Sequence, residues 1–142
     1  MFMLIFIIIS ILTVLLYLLI YVIATKYMQK RFTRRENISF DIWFNQFYPN
    51  DNVVNKKVAR IVLETIATEI KIKPTQIKPT DRFSEEFSLW PKIYKIFFLE
   101  DAIEYSIQII CSKFSVNKLP KCVNIHELIY YISKEVNKEN FV

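Results

Sequence analysis

Residues 2 to 24, FMLIFIIISILTVLLYLLIYVIA, run without a charge, a proline or a glycine. At about 1.5 Å per residue such a run reaches roughly 34 Å as a helix, enough for a hydrocarbon core of about 30 Å with some tilt. Lipid offers no partners for unpaired backbone groups, so the run predicts a transmembrane helix and an anchor over residues 1–25. A cleaved signal peptide would want basic residues ahead of a shorter apolar core and a small-residue cleavage site. Here the nearby charges, Lys26, Lys30, Arg31, Arg34 and Arg35, all follow the run.

Beyond the anchor the apolar spacing shortens and becomes helical. Residues 26–52 read as a basic juxtamembrane segment followed by an aromatic linker, with a short amphipathic piece around Ile42, Phe44 and Phe47 that ends before Pro49. Trp43, Phe44 and Phe47 either lie on the membrane surface or pack on the domain, and the scarcity of positive charge there favours packing. From Val53 to Ile72 the apolar positions Val54, Val58, Ile61, Val62, Ile66 and Ile70 recur at helical spacing, with Asp51 or Asn52 as the expected N-cap. Pro74 and Pro79 bar a continuous helix through the near-repeat IKPTQIKPT.

Pro91 suits the first turn of a second helix, whose run Ile93, Ile96, Phe97, Phe98, Leu99, Ala102, Ile103 and Tyr105 is apolar round more than half its circumference. After a connector over 110–123, Asn124 and Glu127 form a capping arrangement for a last helix through Ile125, Leu128, Ile129 and Ile132 to about Val136. Residues 138–142 read as a frayed tail. No stretch alternates convincingly as a strand, and a chain with no glycine disfavours tight hairpins. The expectation is an all-α protein, a single transmembrane helix followed by a small helical bundle over residues 53–137.

Charge sharpens this picture. Of the 19 Lys and Arg, five lie in the juxtamembrane cluster, whereas all 14 Asp and Glu lie beyond residue 35. The soluble part is therefore formally neutral, and the net charge of +5 belongs to the membrane-proximal segment. By the positive-inside rule that segment stays in the cytoplasm, giving an outside N-terminus and a cytoplasmic C-terminal domain. Attraction to anionic lipid is a secondary role for the cluster. No basic stripe remains for nucleic acid.

Cys111 and Cys122 would face a reducing compartment, which disfavours a disulfide. Cys122 and His126 fall short of the four-ligand set that structural zinc uses, so no metal is expected, and His126 reads as a first-turn residue of the last helix. One histidine, no nucleophile–base pair and no phosphate loop point away from an enzyme. Asp81, Glu85 and Glu86 look like capping and acidic-turn residues rather than an acid–base pair. The span itself has no small-xxx-small face for helix packing.

Helix, long proline-bearing loop, helix, connector, helix is a layout that resembles acyl carrier and peptidyl carrier proteins. Ile72, Ile77, Phe83 and Phe87 stand at the intervals of that family's approach to its Asp-Ser-Leu attachment motif, with Glu85 and Glu86 supplying the acid between the last two. Val62, Ile66 and Ile70 fall where its first helix packs, Tyr105 and Ile109 where its second helix closes, and NIHELIYYI is similar to its last helix. The resemblance implies a carrier-like bundle. In active carriers the motif serine bears 4'-phosphopantetheine, whose phosphate sits by the start of the second helix, where unpaired N–H groups favour anions.

The departure lies at the chemistry. Counting without gaps, Pro91 takes the place of that serine and Trp90 that of the preceding Asp, so nothing can be attached there. Ser88, in FSLW, has the right Ser-Leu order, but Phe87 stands in place of the Asp and the loop would be shorter. Carriers usually present an acidic second helix to their enzymes. Here Lys92 and Lys95 precede Glu100, Asp101 and Glu104, a mixed candidate partner surface. Three readings stand: an armless docking or regulatory module for a membrane or lipid-linked protein; a working tethered carrier modified at Ser88; or a single-pass accessory subunit of a membrane complex. The first is preferred, with the bilayer and a protein as partners and no cofactor.

Overall fold

The computed structural model describes residues 2–87 and 97–139, with the side chains of residues 3–87 and 103–138. Five helices follow in order: α1 Phe2–Thr33, α2 Phe40–Phe47, α3 Lys56–Ile70, α4 Phe97–Lys113 and α5 Ile125–Glu139, with a 3-10 turn at Pro74–Gln76. Among the described residues there is no strand, only a single antiparallel bridge between Arg82 and Asn124. The all-α expectation holds. Ser88, Pro91, Lys92, Ile93, Lys95 and Ile96 lie outside the described residues.

α1 is long and apolar enough to cross a membrane, with a mean hydropathy of 3.1 over its most apolar window. Met3 to Ile23 point away from the rest of the protein on every side. The helix does not stop where the apolar run stops. It continues unbroken through the basic residues to Thr33, with Lys30 and Arg31 in its last turn, where cations favour the negative end of the helix dipole. In that continuation Ala24, Met28 and Phe32, spaced four apart on one face, are buried in the domain core. The basic segment after the apolar run is thus structural as well as charged.

α2 starts at Ser39, whose hydroxyl oxygen accepts from the Ile42 N–H at 3.3 Å. Trp43 and Phe44 turn inward and Phe47 is half-buried, so the aromatic segment packs on the domain, as the sparse charge suggested. Ile42, expected inside, is 58 % exposed, while Trp43 is fully buried. The indole explains the inversion: its Nε1–H donates to the Ile77 carbonyl at 2.8 Å, giving a buried ring a partner for its one polar atom.

α3 is the central helix, packed on both α4 and α5. Its N-cap is Asn55 rather than Asp51 or Asn52: Asn55 Oδ1 accepts from the Lys57 and Val58 N–H groups at 2.9 and 3.3 Å. Asp51 instead closes the preceding turn by accepting from Val53 and Val54. At the other end Lys71 adopts a left-handed conformation with φ 56° and Ile72 N–H returns to the Ala67 carbonyl, a Schellman-type stop made without glycine. Val58, Val62, Ile66 and Ile70 form its inner face.

α5 starts as its capping pattern predicts, with Glu127 N–H donating to Asn124 Oδ1 at 2.9 Å. The Glu127 carboxylate reaches back to Val123 N–H at 2.8 Å, one residue beyond the expected cap. From α4 the core takes Ile103, Ile110 and Cys111; from α5 it takes Ile125, Leu128, Ile129 and Ile132. Tyr105, placed by interval among the closing positions of the second helix, is 56 % exposed, and Ile109 is half-buried.

Candidate functional site

The segment from Ile72 to Phe87 is where the sequence pattern concentrates. Ile77 and Phe87 are buried, and Ile72 and Phe83 pack against the same core. Phe87 stacks obliquely on Phe32 of α1 at 5.1 Å between ring centroids, and on Phe83 at 5.8 Å. The apolar positions of the loop therefore face inward, and one of their neighbours is α1.

The polar positions hold the same helix and the turn that follows it. Asp81, almost fully buried, receives the Arg35 guanidinium in a two-pronged pair, with Nη2 to Oδ1 at 2.9 Å and Nη1 to Oδ2 at 2.5 Å. Asp81 Oδ2 also accepts the Lys78 N–H at 2.7 Å. Arg35 Nη1 donates in addition to the Gln76 carbonyl at 2.9 Å, and the Gln76 amide returns a bond to the Arg35 carbonyl. Higher on α1, Arg31 Nη1 donates to the Glu85 carbonyl and Gln29 Nε2 to the Ile70 carbonyl. The loop also seats the start of α5, since Asp81 and Pro79 carbonyls accept from Ile125 and His126 N–H groups. Asp81 is thus more than the capping residue expected. Glu85 and Glu86 do behave as turn residues, pairing with the Arg82 side chain and backbone N–H.

The five basic residues divide accordingly. Lys26, Lys30 and Arg34 are exposed, whereas Arg31 and Arg35 turn into the protein, and the Arg35 guanidinium also lies 4.8 Å over the Phe32 ring. The spacing of Met28 and Phe32 inside a charged run is the signal that could have shown an inward face there. Nothing in the sequence marks Arg35 and Asp81 as partners.

Beside the loop lies a half-open cleft of about 320 Å³, lined by Phe83, Ile103, Ile107, Leu119 and Pro120, with Glu104 also on it. Of the expected partner surface, Glu104 alone has a described side chain, and it is exposed. Glu100 and Asp101 lie on α4 with side chains outside the described residues, as Lys92, Lys95, Ser88 and Pro91 do in full. Cys122 lines the cleft too, and burial, helped by the nearby Glu127 and Cys111, pushes its thiol up to about 11. Burial also raises the Cys111 thiol. Both cysteines are free, and at neutral pH neither is a nucleophile.

His126 sits in the first turn of α5, its ring stacked on Tyr48 at 5.8 Å with Nδ1 3.2 Å from the phenol oxygen. Burial, and then the Asp51 charge, drives the Tyr48 phenol well above its usual range, so it stays neutral. Among the described residues no three His, Cys, Asp or Glu side chains gather as a metal site. The geometry offers an apolar cleft and a clasp on α1, an arrangement suited to binding. No protein-family model, no curated protein and no solved structure matches the chain.

Proposed function

We propose that the chain is a membrane-anchored docking module: α1 spans the bilayer with its N-terminus outside, and the helical domain, a carrier-like bundle without a prosthetic arm, works in the cytoplasm by binding a protein partner. Lys26, Lys30 and Arg34, exposed just past the apolar run, support that orientation. The observation that carries the reading is the use of the 72–87 loop. Its Asp81, Gln76 and Glu85 backbone or side-chain groups hold Arg35 and Arg31, and its Phe87 packs on Phe32. A loop bound in this way to the anchor positions the domain, and its cleft, at a set height under the membrane. A working carrier, by contrast, needs a free serine at the end of that loop, where Pro91, which has no hydroxyl, stands by interval and Ser88 is the alternative.

The full chain in detergent, incubated with coenzyme A and a broad-specificity phosphopantetheinyl transferase, tests this by intact mass. An unchanged mass, with helicity retained by circular dichroism, is the expected result. An added arm that disappears in Ser88→Ala would overturn the reading and make the protein a tethered carrier.

A further inference from the structure

Every residue from Met3 to Ile23 is Met, Leu, Ile, Phe or Val except four, Ser10, Thr13, Tyr17 and Tyr21; Thr25 follows one turn later. On a helix advancing about 100° per residue, these five hydroxyl side chains fall within an arc of about 120°. Ala24, Met28 and Phe32, the face of α1 buried in the domain, fall in the same arc. The polar stripe in the apolar span therefore runs straight into the interface that the helix makes with its own domain. The opposite face, through Leu12 and Leu19, carries aliphatic side chains alone.

The chemistry of the stripe is specific. Ser10 and Thr13 hydroxyls donate to the carbonyls of Phe6 and Ile9 at 2.9 and 2.8 Å, and Thr25 to that of Tyr21 at 2.8 Å. Their hydrogens are thus used within the helix, and the oxygen lone pairs remain to accept a bond from outside it. Lipid tails donate none. A neighbouring transmembrane helix can, and polar side chains between helices act as the adhesive that lipid-facing aliphatics lack.

A second copy of the chain does not fit that face. A parallel two-fold pair would put the same surface of each helix together, and that surface is covered from Ala24 onward by each copy's own domain. Two domains would meet in one place. We infer that the Ser10–Thr13–Tyr17–Tyr21 stripe seats a transmembrane helix of a different protein, one that presents a hydrogen-bond donor to the Ser10 and Thr13 oxygens and ends on the cytoplasmic side near the level of Ala24, above the domain. The contact spans about 17 Å of the bilayer. It rests on α1 spanning the membrane and is independent of the carrier likeness and of Ser88.

The full chain, donor-labelled at its N-terminus, is reconstituted in phosphatidylcholine vesicles with an acceptor-labelled leucine-rich transmembrane peptide carrying one mid-span asparagine, beside an all-leucine peptide. Protease protection of α1 is read on the same vesicles. Association with the asparagine peptide is expected to exceed that with the all-leucine peptide by about fivefold, to fall to the all-leucine level in Ser10→Leu/Thr13→Leu/Tyr17→Leu, and to persist in Leu12→Ala/Leu19→Ala. Equal association with both peptides, meaning a stripe that faces lipid, overturns the inference. So do an undiminished signal in the triple variant and energy transfer between two labelled copies above the random level. Protection with no peptide preference removes this inference alone, whereas an unprotected α1 removes the spanning reading with it.

Discussion

Arg35, two residues past the end of α1, and Asp81 stand 46 residues apart in sequence and form the shortest polar contact between that turn and the loop. The Asp81 side chain is 4 % exposed and that of Arg35 23 %. At such burial the two charges have left most of their hydration, so removing one partner strands the other, at about 3–5 kcal/mol for a fully buried pair. Because a quarter of Arg35 still meets solvent, Arg35→Met is expected near the lower bound, about 3 kcal/mol. Asp81→Leu strands a cation that keeps the Gln76 carbonyl, and about 2 kcal/mol is expected.

The double variant is the discriminating sample. With no charge left to strand, it should lose only about 1 kcal/mol, chiefly the Lys78 N–H bond to Asp81. Thermal unfolding of the full chain in a nonionic detergent, followed by circular dichroism, reads these values. A small domain loses about 4–8 °C per kcal/mol, so Arg35→Met should fall by more than 10 °C and the double variant should recover most of that. Single variants within about 0.5 kcal/mol of the parent, or losses that simply add in the double variant, would refute the clasp as described.

Other perturbations probe the same architecture. Phe32→Ala removes a ring that is fully buried against Phe87 and should cost about 3–5 kcal/mol by thermal melting, a loss that a merely tethering juxtamembrane segment would not show. Lys71 and Ser115 both hold φ at 56° in a chain without glycine, so Lys71→Gly and Ser115→Gly should each raise stability, by roughly 0.5–1 kcal/mol, in the same assay. With its thiol at about 11, Cys122 should react with iodoacetamide at pH 8 about two orders of magnitude more slowly than an ordinary thiol, with the rate still climbing above pH 10. Because this acid's folded value lies above its unfolded one, its contribution favours folding below pH 8 and is lost as pH rises from there toward 11. Peptide mapping of the alkylated cysteines checks the rate.

The helices were largely legible because each has a local signature. α3 and α5 carry apolar residues at helical spacing, and the last helix also carries its Asn124–Glu127 start in the open. Boundaries were less so. Asn55 outcompeted Asp51 and Asn52 as a cap because Val54 must turn inward first, a packing demand rather than a propensity. The continuation of α1 was hidden by its charges, since Lys26, Lys30 and Arg31 end the apolar run and are equally good helix formers. Residues that face different ways round one helix were read as one linear segment. The clasp was out of reach altogether, because a pairing across 46 positions leaves no trace in a single sequence.

That clasp bears on what the 72–87 loop is for. Prolines at 74 and 79 fix the backbone before and after Gln76 and Ile77, and the carbonyls so presented go to Arg35 and Trp43. The buried carboxylate of Asp81 goes to Arg35, and the next carbonyls go to α5. A loop whose groups are committed to α1, α2 and α5 at once can shift only if all three contacts yield, so its position is set cooperatively. An unbroken helix above it carries that position into the apolar run, since 32 residues of α-helix leave no hinge between that run and Phe32. A partner helix on the Ser10–Tyr21 stripe would approach on the side where the domain already stands. Membrane contact and domain contact would then be two ends of one surface.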